Sequence, residues 1–184
     1  FNNVKVRQAM NIAIDMSDFT KLKKSEALPQ RFWPQSEANP TAFVPDSELP
    51  SEVAQLWEYD PDLAKEMLAE AGYPNGFKTT ITVKNTTLFQ DEAAILKEQW
   101  AKIGVDAEIE VMQASPFAQV RYSGAQVGGT VEYPGVILEG LDAANPIAVL
   151  ISEGKTGAWF NTTGYSNPKF DRLATELEGE DDLD

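Results

Sequence analysis

Residues 77–111 carry the pattern that most restricts the fold. Thr79, Ile81 and Val83 alternate with Thr80, Thr82 and Lys84, the period of a strand with one face against a core. A helix is expected from near Asp91, with Ala93, Leu96, Trp100 and Ile103 on one side and Gly104 as its stop. Val105, Ala107, Ile109 and Val111 then alternate with Asp106, Glu108 and Glu110, a second strand with one wet face. Elements of these lengths in this order make a βαβ unit, whose strands are expected to be parallel and whose crossover is expected to be right-handed. An α/β fold class follows.

The stretch leading into this unit reads as a complete helix with its stop. Asp60 can accept a hydrogen bond from an orphan N–H of the first turn, and Pro61 gives up an N–H that had no partner anyway. Ala64, Met67, Leu68 and Ala71 fall on one stripe, with Lys65, Glu66 and Glu70 off it. Gly72 can take the left-handed conformation that closes a helix, and Tyr73-Pro74-Asn75-Gly76 is a turn that cannot continue it. Nearer the start, Asn2 or Asn3 can cap a helix carrying Val6, Ala9, Met10 and Ala13 on one face, and a short helix is expected from about Ser17 to Lys24.

From residue 25 to 57 the periodicity disappears and prolines recur at 29, 34, 40, 45 and 50, which forbids long helices and interior strands. An ordered, irregular surface segment is expected there, with Phe32, Trp33 and Phe43 pinning it to the body. Ser115-Pro116 starts a further helix with Phe117 and Val120 on it, fading by Gly124. Val136-Ile137-Leu138, bracketed by Gly135 and Gly140, is a short apolar strand suited to the middle of a sheet. Asn145-Pro146 can open a short helix through Ile151. Asn167-Pro168 opens the last, with Phe170, Leu173, Ala174 and Leu177 at the same spacing. The acidic end, residues 178–184, is expected to fray.

At 184 residues, 42% hydrophobic and 24% charged, the chain suits a single domain over residues 1–184 with a sizeable core. Fifteen Lys and Arg stand against 29 Asp and Glu, a net charge of −14 that repels phosphate backbones, so nucleic acid is not expected as a partner. There is no cysteine and no histidine. Cys/His zinc sites, Ser-His and Cys-His catalysis and c-type haem attachment are thereby removed. No cofactor is expected: Gly128-Gly129 lacks the lysine and context of a phosphate loop, and Asp181, Asp182 and Asp184 lack calcium-loop spacing. No apolar run approaches the ~20 residues of a membrane helix. Phe1-Asn2-Asn3 has neither a start methionine nor signal-peptide character, so the chain is expected to be a piece of a longer protein.

Several marks, in order, resemble the family 5 extracellular solute-binding proteins, the peptide- and oligopeptide-binding receptors of ABC importers. They are Val6-Arg7-Gln8-Ala9-Met10 with Ala13-Ile14-Asp15; Tyr59-Asp60-Pro61 with Ala64-Lys65, Leu68-Ala69-Glu70-Ala71-Gly72-Tyr73-Pro74 and Asn75-Gly76-Phe77; Gln99-Trp100-Ala101-Lys102-Ile103-Gly104-Val105; and Tyr165-Ser166-Asn167-Pro168-Lys169-Phe170-Asp171. The resemblance spans Val6 to about Leu177. It implies the third domain of such a receptor, a periplasmic-binding-protein-like type II lobe with a mixed, βαβ-containing sheet flanked by helices and some α+β character. It also implies a signal peptide and two earlier domains upstream, an extracytoplasmic location (periplasmic or lipid-anchored), a permease as partner and a monomeric, non-enzymatic receptor. Alone, one wall of a cleft is expected to bind solute weakly or not at all.

The same resemblance singles out Glu139-Gly140-Leu141-Asp142, since peptide receptors of the family carry an aspartate in the corresponding loop that pairs with the peptide's α-amine, and Asp142 has the family's spacing to Pro146. A carboxylate at the carboxyl end of a buried strand also stands where α/β sheets place ligands. Once water is excluded, it makes a charge-assisted bond to an ammonium group. The alternative is that Asp142 caps the turn before Asn145-Pro146. Where family members place an aromatic residue before this aspartate, the chain has Gly140 and Glu139, and Ala143 follows in place of tyrosine. Three other readings therefore stay open: the same scaffold for a sugar, opine or metal complex; a carboxylate-dependent hydrolase; or an interaction module without a small ligand.

Overall fold

In the computed structural model of the protein the described residues are 3–24, 44–126, 135–138, 154–158, 161 and 164–179. They fall into two compact units, one drawn from residues 1–114 and 134–140, the other from 115–133 and 141–184.

Among the described residues, the first unit has three parallel strands in the order β2-β1-β3. β1 (Phe77–Lys84) and β2 (Val105–Met112) lie in register from Phe77 against Val105 to Lys84 against Met112. β3 (Val136–Leu138) pairs with the other edge of β1, Ile81 against Val136 and Val83 against Leu138. Among the described residues β1 has a strand on each side, and β3, with one described strand neighbour, is half-buried throughout. Centrality also explains why Thr82, read as wet, is fully buried; its hydroxyl donates to Glu110 Oε2 across the β1–β2 pair at 3.0 Å. Asp106 and Glu108 remain exposed as expected.

Helices cover the Ile81/Val83 face. α1 (Val4–Ile12) is capped by Asn3, whose side chain accepts from Lys5 N–H, and it buries Val6, Ala9, Met10 and Ile12. α2 (Met16–Leu22) starts on Asp15, slightly earlier than expected. The end of the proline-rich stretch is less irregular than its sequence suggests. After a 3₁₀ turn at Asp46–Glu48, Pro50 opens α3 (Ser51–Ala54), and a 3₁₀ turn at Gln55–Trp57 follows. No proline interrupts residues 51–60, and the Leu56 carbonyl accepts from Asn11 Nδ2 at 2.6 Å, tying the segment to α1. Phe32, Trp33 and Phe43 lie outside the described residues.

α4 (Pro61–Glu70) follows its sequence signals closely. Asp60 Oδ1 accepts from Leu63 N–H, Ala64 and Leu68 are buried, Gly72 has φ +96°, and Tyr73 N–H returns to Leu68 O at 2.8 Å. α5 (Thr87–Ala101) begins a full turn before Asp91. Thr86, a residue type that favours the N-cap, stands there without a side-chain bond, and Phe89, four residues before Ala93 on the same stripe, packs on the core and lengthens the helix by a turn. Two glycines close the unit. A Cβ on Gly76 (φ +71°) would stand 1.8 Å from Gly104 O, so only glycine permits this backbone crossing.

The second unit contains α6 (Ala114–Gln126), with Phe117 buried, and α7 (Pro168–Glu178), capped by Asn167. On α7, Ala174 is buried and Phe170 and Leu177 partly so, but Leu173 is 48% exposed. The face of α7 turned to residues 154–158 is centred near Ala174, and Leu173 lies about 100° round the helix from it. The helix expected from Asn145 and the acidic end from residue 180 lie outside the described residues. Among the described residues no helix is long and apolar enough to cross a membrane.

Candidate functional site

Parallel strands bring their carboxyl ends to one edge, and in α/β sheets that edge is where ligands bind. Here it is formed by Lys84 of β1, Met112 of β2 and Leu138 of β3. Asn85 N–H donates to Met112 O at 2.7 Å and Thr86 N–H to Lys84 O at 2.7 Å, folding the β1–α5 connection over the edge. Gln90 Nε2 reaches Asn85 Oδ1 at 3.2 Å. Lys84 is exposed and makes no ion pair among the described residues. Glu139, Gly140, Leu141 and Asp142, which follow β3 directly in the chain, lie outside the described residues. Among the described residues no cluster of three or more acidic residues could hold a metal ion.

The last mark of the sequence has a clear local structure. Asn161, buried at 5% exposure, donates from Nδ2 to Lys155 O at 3.0 Å and Tyr165 O at 2.7 Å and accepts from Tyr165 N–H at 3.1 Å. Asp171 Oδ1 accepts from Thr156 N–H at 2.8 Å, and this bond holds the carboxyl below its ordinary range. Asn167 caps α7 and donates to the Tyr165 hydroxyl, and the Tyr165 and Phe170 rings meet edge-on at 6.0 Å. Lys155 pairs with Glu178. Tyr165, Asn167, Phe170 and Asp171 are therefore joints between the described residues of 154–158, 161 and 164–166 and α7. Asn161 escaped the sequence reading because nothing local distinguishes it from any other loop asparagine.

A second polar joint was missed in the first unit. Gln99, 1% exposed, accepts from Asp15 N–H at 3.1 Å and donates to Asp15 O at 3.1 Å and Asp18 Oδ2 at 3.0 Å. Asp18 lies below its ordinary range, first through its bond from Lys21 and then through Gln99. Glu92, one turn before Leu96, is buried and paired with Lys23 at 2.9 Å. A signal existed: Glu92 and Gln99, seven residues apart, flank the apolar stripe of α5, and polar groups at such positions need partners.

The sequence pattern of the bacterial extracellular solute-binding proteins, family 5 Middle, matches residues 1–133. The chain belongs to this family. It is 34% identical over 187 aligned residues to a glutathione-binding protein, GsiB, of Salmonella typhimurium, an alignment covering 98% of this chain and 35% of that protein. The chain thus spans about a third of the length of the curated relatives it matches. Among solved structures, a periplasmic oligopeptide-binding protein of Borrelia burgdorferi, OppAIV, superposes with a TM-score of 0.73 at 25% identity, over 98% of this chain and 34% of that one. The periplasmic binding protein DppA of Helicobacter pylori in complex with peptide STSA gives 0.63 at 27% identity, over 98% of this chain and 33% of that one. The fold is that of the periplasmic-binding-protein-like α/β class, as the βαβ pattern and the marks led one to expect.

Proposed function

We propose that this chain supplies one wall of the solute cleft in an extracytoplasmic receptor that captures peptides and passes them to the permease of an ABC importer. The observation that carries this reading is the family match, continued along 98% of the chain by relatives named for glutathione, oligopeptide and peptide binding. In this reading the chain is the third domain of a monomeric, non-enzymatic receptor, periplasmic or lipid-anchored, whose other domains complete the cleft and close over the solute. Asp142, beyond the carboxyl end of β3, pairs with the α-amine of the peptide, and Glu139, Gly140 and Leu141 line the same loop. A carboxylate shielded from water discriminates an ammonium from a blocked amine, because the buried charge otherwise stays unpaired.

Mass spectrometry of solutes that co-purify with the full-length protein, followed by calorimetry, tests this. Short peptides are expected on the wild type and absent from Asp142→Ala, and N-acetylated peptides are expected to bind at least about tenfold more weakly than free ones, the ~1.4 kcal/mol of a modest charged contact. Equal binding of free and acetylated peptides removes the role of Asp142. A sugar, opine or metal complex retained by both proteins would replace the peptide reading with the alternative solute that Gly140 and Glu139, standing in place of aromatics, keep open.

A further inference from the structure

Asn75-Gly76 is the most hydrolytically labile dipeptide type in proteins, because glycine leaves its backbone nitrogen free to attack the neighbouring side-chain amide. In that reaction Gly76 N forms a bond to Asn75 Cγ and the Cγ–Nδ2 bond breaks. Ammonia leaves, taking up the Gly76 N–H proton, and water then opens the succinimide to aspartate or isoaspartate. Asn75 is exposed, so the side chain and water have room for each step.

The backbone around it opposes the attack. Gly76 N–H is held by Tyr73 O at 3.0 Å, closing the Tyr73–Gly76 turn. Gly76, at φ +71°, is pressed so closely on Gly104 that a Cβ would fall 2.8 Å from Gly104 Cα. Attack needs Gly76 N released from the Tyr73 carbonyl and free to move onto Asn75 Cγ, and the contact with Gly104 restrains that movement. The turn also sets the first residue pair of the sheet, Phe77 against Val105.

We infer that Asn75 is a latent, self-modifying site, guarded by the Gly76–Gly104 crossing and converted to isoaspartate only when that crossing opens. Isoaspartate adds a methylene to the main chain inside the turn and so opposes re-closure of the crossing, and with ammonia gone the Asn75 amide is not restored. The site thereby records opening of the β1–α5–β2 unit, independently of which solute the protein binds.

The test uses the full chain in mildly alkaline buffer, with peptide mapping by mass spectrometry and enzymatic isoaspartate labelling, native and in urea. Isoaspartate at position 75 is expected at least about tenfold more slowly in the native protein, in proportion to the open fraction. Gly104→Ala, strained at φ +84°, is expected to speed it. If that variant fails to fold, raising urea below the unfolding transition on the wild type is expected to raise deamidation and hydrogen exchange at Gly76 in parallel. After return to native buffer the isoaspartate form is expected to lack exchange protection at Gly76 and Phe77. Equal native and unfolded rates, no conversion in urea, or full protection in the isoaspartate form would each overturn the inference.

Discussion

Replacing Gln99 with leucine isolates the polar joint between α2 and α5. Leucine keeps nearly the same volume, so the loss is of hydrogen bonds and not of packing. Of the groups Gln99 serves, two keep another partner: Asp15 O still accepts from Asp18 N–H at 3.3 Å, and the Asp18 carboxylate keeps Lys21 at 2.9 Å. Asp15 N–H loses its acceptor. Orphaning a half-buried donor costs about 1–3 kcal/mol, and the two bonds donated by Nε2 contribute about 0.5–1.5 kcal/mol each. The extra apolar burial of leucine returns about 1 kcal/mol. Gln99→Leu should therefore lose about 1–5 kcal/mol, centred near 3, a large share of the roughly 5–15 kcal/mol that holds a domain. Urea unfolding is expected to show a lower midpoint at unchanged slope.

The pH dependence follows from Asp18. Its folded pKa is lowered, by Lys21 first and Gln99 second, so its stabilisation is complete above the ordinary carboxylate range and is lost as pH falls through the folded value. Gln99→Leu is expected to shrink that acid-side loss and to leave its own deficit flat between about pH 5 and 8. An unchanged urea midpoint, or a leucine variant more stable than wild type, would refute the view that a buried glutamine anchors α2.

The remaining predictions concern charge burial and the second unit. Lys23→Met leaves the Glu92 carboxylate, only 8% exposed, without its cation, and is expected to cost about 1–3 kcal/mol; Glu92→Gln releases a half-exposed lysine to water and is expected to cost about 1 kcal/mol or less. Chemical denaturation of both variants checks the order, and the reverse order would show that relief of a buried charge is not what the pair provides. Asn161→Ala removes the bonds to Lys155 O, Tyr165 O and Tyr165 N–H, so hydrogen exchange should quicken at residues 155–158 and 164–166 while α1 and α5 keep their protection. Uniform quickening over both units would contradict a joint confined to the second.

Elements whose causes are local could be read from the residues. α4 is set by Asp60, Pro61 and Gly72, all within or beside the helix, and β2 by alternation from Val105 to Ile109, whereas Val111, expected on the inner face, is 45% exposed at the strand's end. The first turn of α5 was missed because the stripe was read only from Ala93, leaving out Phe89 one turn before it, and α3 because the prolines around residues 29–50 masked a short run without them. Thr82 was misplaced because alternation describes one face of a strand and says nothing of what covers the other. Gln99 reaches Asp15 across 84 residues of sequence, and no local pattern reports such a distance. Of the candidate site, the strand that leads into Asp142 was legible, and its carboxyl end at Leu138 lies on the edge where α/β sheets generally place ligands.

The marks that carry the family resemblance turn out to hold elements to one another. Asp60 N–H donates to Ile12 O at 2.8 Å, joining the helix of the second mark to the end of the first. Trp100 Nε1 donates to Met10 O at 3.0 Å, and Gln99 clasps Asp15, so the third mark is fastened to the first twice. Gly76 crosses Gly104, fastening the second to the third. Apart from the Asp60–Ile12 backbone bond, each of these contacts fills a position where one residue type is needed: a glycine without Cβ, an indole N–H aimed at a helix carbonyl, an amide that both donates and accepts. None of them points at the carboxyl edge of the sheet. A sequence can thus keep the scaffold intact while the edge and the residues after Leu138 vary. Under the peptide reading, selectivity in this chain rests on residues that the marks leave free, and exchanging Gly140 for an aromatic residue should alter which solute is held while leaving the urea midpoint where it was.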